Sequence, residues 1–397
     1  MVEATEVLTD RERKNFSILD LVRRKGPITR TEISKETELN IVTVSNYVNT
    51  YIQKGLVIEG GLDVSTGGRR PVVLELNPKA AYIIGIGLDL LNIIGVVSDL
   101  KANVLIKVEK VRPEGTEDAM INAISDIIGE VISEVNVERD QIKGIGIGIP
   151  GIVDRKGGTI RWPGQMGSVY ISTLKNMLEQ KFQIPVFVEN DATVAAFGER
   201  EFELESDIKN LIFMYSGVGC GIVINGQIYG GTGGCAGELG LPTLGKEEKN
   251  RWRGLDRWEA DLGLRAAAIE GVKEKSDSKI LELARGDSSK IDFKSIIEAV
   301  RAGDELAVSL VKEAGEELGV RIAYLIQIFN PEVVVIGGGI ERAGSVLLDV
   351  IKKTVRDKTF EEIGNQVRIV PTQLGENSVA LGAVSLVIQH IFTYLMV

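Results

Sequence analysis

A strand, turn, strand opening occurs twice in this chain, and that repeat constrains the fold more than any other feature. Tyr82–Gly87, Ile93–Asp99 and Val104–Val108 read as three successive strands, followed by a helix over Glu117–Glu134. Lys143–Pro150 alternates Gly and Ile and reads as a further strand running into a tight turn at Gly151. The pattern restarts at Leu211–Ser216 and passes through Gly217–Gly221 into Ile222–Gly226. Ser276–Asn330 is mostly helical, Pro331–Gly339 is a buried strand ending in a glycine turn, and Ser378–Leu395 is a closing helix expected to pack on the first half. Two such halves predict a duplicated α/β fold with a cleft between lobes, where strand ends carry ligand groups.

The first 76 residues follow a different rule. Phe16–Lys25 puts Ile18, Leu19, Leu21 and Val22 on one helical face and stops at Gly26-Pro27. Thr29 and Glu32 form a capping box for a helix over Arg30–Thr37. A third helix follows Asn40, with apolar residues at Ile41, Val44, Val48 and Ile52 spaced for burial on one side. Its other side offers Val42, Thr43, Ser45, Asn46, Asn49, Thr50 and Gln53, with no acidic residue from Asn40 through Ile58. Amides and hydroxyls of this kind suit base edges, without a carboxylate to repel phosphate. Two alternating segments, Gly55–Glu59 and Pro71–Leu76, flank Ser65–Arg70, so the segment reads as a winged helix-turn-helix with Arg69 and Arg70 at the wing tip, in reach of phosphate or a minor groove.

Charge supports that division. Residues 1–80 hold 12 Lys and Arg against 11 Asp and Glu, in a chain whose formal charge is −10. A near-neutral head on an acidic body excludes general coating of nucleic acid and permits local DNA contact by the head. No N-terminal leader pattern and no apolar run of membrane-spanning length is present, so a cytoplasmic protein without membrane association is expected. Two cysteines, Cys220 and Cys235, cannot build a disulfide framework and are expected to be small core fillers. The single histidine, His390, lies in the apolar closing helix, where packing is expected rather than metal binding or catalysis.

Several motifs, in order, carry a family resemblance: the head, Gly67-Gly68-Arg69-Arg70-Pro71, Glu189-Asn190-Asp191-Ala192, Gly217–Gly221, Gly234–Gly240, and Asn330-Pro331 through Gly339. Together they resemble the ROK family of repressors and sugar kinases, and with a winged helix in front they are most similar to its transcriptional-repressor branch. The resemblance implies a winged helix-turn-helix over residues 1–76, followed over 77–397 by a two-lobed, actin-like fold of duplicated ribonuclease H-like halves. Lobe 1 would cover about 80–190 plus the helix 378–397, and lobe 2 about 191–377. It also implies a homodimer or tetramer, and a sugar or sugar derivative bound in the cleft by Asn190, Asp191, Glu238 and Glu259.

Three departures from the family pattern bear on chemistry. Leu241 stands where the family has a histidine joining sugar binding to zinc, and Asn250–Trp258 replaces its cysteine cluster, so no zinc is expected; Trp252 and Trp258 are expected to support that loop by packing. Gly87-Leu88-Asp89-Leu90-Leu91 replaces the Asp-x-Gly-x-Thr turn that organises magnesium and phosphate in the kinases. Leu90 and Leu91 remove the close backbone approach and the hydroxyl that phosphoryl transfer needs, so neither ATP nor magnesium is expected. The leading expectation is a non-enzymatic, sugar-responsive regulator of carbohydrate genes, bound to a palindromic operator. The alternatives are a sugar kinase with an attached DNA-binding head, in which Asp191 would be the catalytic base, and a constitutive DNA binder whose cleft is scaffold.

Overall fold

The computed structural model describes residues 9–62, 72–88, 92–113, 116–154, 159–161, 168–205, 207–215, 219–239 and 263–394. The chain opens with α1 (Asp10–Lys25), β1 (Ile28–Thr29), α2 (Arg30–Thr37), α3 (Ile41–Gln53), β2 (Val57–Leu62) and β3 (Val72–Leu76). Capping boxes start α1 at Thr9 with Glu12 and α2 at Thr29 with Glu32, and the Asn40 side chain caps α3 by accepting from the Val42 N–H at 2.7 Å. The strand order β1-β3-β2 is that of a winged helix, with β2 and β3 antiparallel as wing strands. The wing tip, with Arg69 and Arg70, lies outside the described residues.

One expectation for α3 needs correction. Its buried line is Val44, Val48 and Tyr51, while Ile41 is exposed and Ile52 only half buried. Ile41 is the first helical residue and projects beyond the small core. Tyr51 enters because its hydroxyl donates to Asn15 Oδ1 at 3.0 Å, which satisfies the polar tip in a buried setting.

The body contains two five-stranded sheets. The first is built from β4 (Tyr82–Leu88), β5 (Asn92–Asp99), β6 (Val104–Val111), β7 (Ile142–Ile149) and β11 (Val186–Asn190), with α4 (Glu117–Glu134) and α5 (Ile171–Phe182) in the connections. A small antiparallel sheet of β8 (Ile152–Asp154), β9 (Thr159–Arg161) and β10 (Ser168–Tyr170) follows β7. After α6 (Asp191–Phe202), the second sheet uses β12 (Leu211–Tyr215), β13 (Gly219–Ile224), β14 (Gln227–Ile228), β15 (Val333–Gly337) and β16 (Arg368–Pro371). Its helices are α7 (Leu264–Glu274), α8 (Lys279–Leu283), α9 (Phe293–Arg301), α10 (Glu305–Phe329), α11 (Ser345–Lys358) and α12 (Glu361–Gly364), and α13 (Ser378–Tyr394) closes the chain.

The sheets are topological copies. The first runs β11-β7-β4-β5-β6 and the second β14-β13-β12-β15-β16, so each has three antiparallel strands in chain order and two parallel strands added beside the first. This duplication is that of an actin-like fold.

The Ile-Gly alternation of β4 and β7 builds the seat of the closing helix. Gly85 pairs with Gly146 across the two parallel strands. A Cβ on Gly85 would lie 2.1 Å from the Ala380 carbonyl oxygen, and one on Gly146 2.1 Å from that of Ala383. The glycine face thus lets α13 lie directly on the sheet, while Ile84, Ile86, Ile145 and Ile147 fill the opposite face beneath α4 and α5. Helix α6 crosses α13 just as closely, since a Cβ on Gly382 would lie 2.0 Å from the Val194 carbonyl oxygen. On its other side α6 meets β13, where a Cβ on Gly221 would lie 2.1 Å from the Ala192 carbonyl oxygen. The layers therefore run first sheet, α13, α6, second sheet. The head shares this core: Ile18, Leu19 and Val22 of α1 belong to one apolar cluster with Ile388, Ile391 and Phe392 of α13.

Two cysteine expectations part here. Cys220 is buried, and burial with the nearby Glu238 pushes its thiol up to about 12. Cys235 is exposed in a glycine-rich turn and fills no core. His390 packs between Phe187 and Tyr394, with ring centroids 4.7 and 4.9 Å away, and burial lowers its pKa.

Candidate functional site

The cleft site is assembled where α6 begins. Strand β11 runs through Asn190, and the chain turns directly into α6 with Asn190 as N-cap. The Asn190 side-chain oxygen accepts from the Thr193 N–H, and its amide donates to the Gly151 carbonyl, both at 3.0 Å. Helix capping is thus one role of this residue, and the amide still has one N–H and one lone pair for a ligand. Gly151, at φ +100°, takes a backbone conformation that suits glycine and turns the chain after β7 toward this cap.

Asp191 is buried, and its Oδ1 accepts the Ala192 N–H at 2.7 Å. Burial pushes its carboxyl up to about 7; the Glu238 charge adds to this rise, while the Ala192 N–H and Arg112 oppose it. Such a group changes protonation near neutral pH and can accept from or donate to a sugar hydroxyl. Glu238 arrives by a specific backbone device. The Cys220 N–H donates to the Gly237 carbonyl at 2.8 Å, and Gly237, at φ +100°, sits so close to Cys220 that a Cβ would be 1.9 Å from its carbonyl oxygen. Strand β13 thereby holds the Glu238 turn on one residue and the start of α6 on the next. The Leu88 carbonyl at the end of β4 accepts from the Tyr215 hydroxyl at the end of β12, 3.4 Å away, so the first strands of the two sheets meet at the cleft floor.

The structure therefore brings together Asn190, Asp191 and Glu238. Glu259, Leu241, Trp252 and Trp258 lie outside the described residues, as do Leu90 and Leu91. Among the described residues no group of three or more His, Cys, Asp or Glu is placed to hold a metal ion. At the second glycine turn, the Gly339 N–H donates to Glu341 Oε2 at 2.8 Å, so a carboxylate occupies a backbone donor there. Arg112, just beyond β6, is a cleft residue that sequence reasoning missed; its signal was a cation at a strand end, hidden because the strand runs to Val111 rather than Val108.

The second candidate surface is the outer face of α3. Asn46, Asn49, Thr50 and Gln53 are exposed there, Thr43 and Ser45 half exposed, and Val42 is 62% exposed at the first turn. Arg30, from the first turn of α2, donates to Asn49 Oδ1 at 3.3 Å and to Glu59 Oε1 at 3.1 Å. It is a basic group on the reading face that the helical spacing of α3 could not show. The Thr50 hydroxyl donates back to the Asn46 carbonyl at 3.0 Å.

A winged helix ahead of two duplicated lobes, with an Asn-Asp pair opening the helix between the sheets, defines a DNA-binding member of the actin-like sugar-kinase class. The chain belongs to the ROK family, whose model matches residues 83–390. It is 30% identical over 379 residues to the xylose repressor of Bacillus spizizenii, covering 94% of each chain. It is 27% identical to the DNA-binding transcriptional dual regulator NagC of Escherichia coli, covering 94% of this chain and 91% of the relative. Among solved structures, a ROK family transcriptional regulator homologous to the E. coli MLC protein superposes with a TM-score of 0.76 at 26% identity, covering 97% and 98% of the two chains. A ROK glucokinase from Streptomyces griseus, in complex with glucose and AMPPNP, superposes at 0.67 and 26% identity, covering 77% of this chain and 99% of its own. The repressors match head and body together, whereas the glucokinase covers a smaller share of the chain.

Proposed function

We propose that this chain is a sugar-responsive transcriptional repressor of carbohydrate-utilisation genes, acting on DNA in the cytoplasm. The observation that carries the reading is that both halves of such a device occur in one chain related over 94% of its length to a xylose repressor: an exposed amide and hydroxyl face on α3, and a buried Asn190–Asp191 pair whose Asp191 feels the charge of Glu238. Residues 1–76 form the DNA-binding domain. Residues 77–397 form the effector-binding domain, with lobe 1 at about 80–190 plus the helix 378–397 and lobe 2 at about 191–377. Two heads of a homodimer or tetramer straddle a palindromic operator. Thr43, Ser45, Asn46, Asn49, Thr50 and Gln53 face base edges, and Arg69 and Arg70 of the wing contact the backbone or minor groove. Asn190, Asp191, Glu238 and Glu259 bind the hydroxyls of the effector, and its preference for one lobe arrangement alters DNA affinity.

Kinase activity is not part of this reading. The Leu90-Leu91 replacement and the Glu341 carboxylate on the Gly339 N–H both disfavour a bound phosphate chain. The test is duplex binding by fluorescence anisotropy with D-xylose, D-glucose and N-acetylglucosamine present in turn. One sugar changes specific binding by the wild-type chain, and Asp191→Ala binds the same duplex without responding. Sugar-dependent ADP formation, lost in Asp191→Ala, would replace this reading with the kinase.

A further inference from the structure

The far end of α6 carries a charged joint that neither DNA reading nor ligand binding accounts for. Glu201, the penultimate residue of the helix, receives Arg23 and Arg24 of α1 on its two carboxylate oxygens. Arg23 also donates to the Glu201 carbonyl at 3.0 Å and to Asp20 Oδ1 at 2.7 Å, and Arg24 donates to Asp20 Oδ2 at 3.0 Å. The Arg23, Arg24 and Glu201 side chains are less than 10% exposed. Arg200 joins Glu201 from the same helix and packs over the Gly226 turn of the second sheet, and Arg23 lies over the Phe202 ring at 5.7 Å. The head, α6 and the second sheet therefore meet at one point.

The construction of this joint is that of a register device rather than a clamp. Three guanidinium groups face two carboxylates, and among the described residues the buried Nε atoms of Arg23 and Arg200 have no hydrogen-bond partner. A crevice remains between Phe16, Arg23, Phe197, Glu201, Ser385 and Phe392. Buried ion pairs add little net stability because desolvation offsets their attraction, and their best-attested use is to select one arrangement over another. Helix α6, by contrast, is seated by backbone contact at Gly221 and Gly382, and close-packed elements of this kind shift as rigid bodies rather than deform.

We propose that α6 couples the cleft to the DNA-binding head: its first turn holds the ligand-binding Asp191, its last turn holds Arg23 and Arg24 through Glu201, and a shift of the helix resets how the head docks. The two ends are about 15 Å apart at 1.5 Å per residue. The proposal rests on the regulator reading above.

Linkage makes the coupling reciprocal, so operator binding must alter α6 without any sugar present. The experiment selects a duplex from random DNA with the full chain, then follows hydrogen exchange with and without that duplex. In the wild type, DNA changes exchange of the 193–197 amides by about 5-fold or more, the lower bound of ordinary coupling. In Glu201→Gln the change falls below about 2-fold, while α10 keeps its protection. Should Glu201→Gln lose protection in α10 as well, Arg24→Gln, which removes only a head-side partner, must give the same loss of coupling. An unchanged exchange at 193–197 in the wild type despite specific binding overturns the proposal and leaves the regulator reading intact. An equal change in wild type and variants overturns the role of the joint. Failure to select any duplex overturns the regulator reading and the proposal with it.

Discussion

Replacing Asp191 by Asn should stabilise the ligand-free protein, and by an amount that grows with pH. The native carboxyl titrates at about 7 against an ordinary value of 3.8. Between these values the folded state holds a proton that the unfolded chain has released, so stability falls as pH rises from about 4 to above 7. Integrating the two titrations, the burden relative to a neutral isostere is about 2 kcal/mol at pH 5 and about 4 kcal/mol at pH 8. Asn keeps an oxygen for the Ala192 N–H, which Asp191 accepts at 2.7 Å, and carries no charge at any pH. Groups remote from Asp191 titrate alike in both proteins and cancel, while Glu238, whose charge raises the Asp191 pKa, loses a like-charged neighbour in the variant, which adds to the widening at high pH. Scanning calorimetry at pH 5, 6, 7 and 8 should show Asp191→Asn melting above wild type at each pH. The gap should widen by roughly 4 °C, at about 1.5 °C per kcal/mol for a domain the size of residues 77–397 with about 2.1 cal/mol/K of melting entropy per residue. Sugar response is lost in the same variant, the usual exchange of function for stability at a site. A gap that stays flat from pH 5 to 8 would refute the assignment of a buried, proton-holding carboxyl at the start of α6.

Other outcomes follow from the packing. Gly146→Val pushes a side chain into the Ala383 carbonyl and should cost about 1–3 kcal/mol or more, read as a lowered Tm with faster exchange in α13, whereas Gly129→Ala in α4, which meets nothing within 4 Å, should gain about 0.5–1 kcal/mol. Tyr51→Phe strands the buried Asn15 oxygen and should cost about 1–3 kcal/mol, with exchange rising in α1 and α3 and not in α10. Arg70→Ala should weaken operator binding and reduce the slope of log affinity against log salt by about one; an identical slope removes the wing from the contacts.

How much of this was legible in the sequence depends on the range of the interaction involved. The α2 helix and its Thr29–Glu32 capping box, and the α4 span, follow from neighbours three and four residues apart, and the structure reproduces them. The repeated strand order follows from local alternation plus the rules of parallel pairing. The Ile-Gly pattern of β4 and β7 identified strands, but its purpose depends on a helix about 240 residues beyond β7 and about 300 beyond β4, and no local signal carries that. Tyr51 went unread because its burial depends on Asn15, 36 residues earlier. Glu238 was placed beside Asp191 by resemblance alone; the contact between Gly237 and Cys220 supplies the physical reason. The joint of Arg23 and Arg24 with Glu201 spans some 178 residues of sequence, and charged residues on helices read as solvated faces until the partner is seen.

One ligand in the cleft and one duplex on the head should bind as a linked pair. The direct test measures sugar affinity by titration calorimetry, with the chain free and with it saturated by its selected duplex. The expected result is a sugar Kd changed by the same factor, about 5- to 150-fold, by which that sugar changes the Kd for DNA. A sugar Kd unaltered by bound DNA would contradict it and leave two independent sites on one chain.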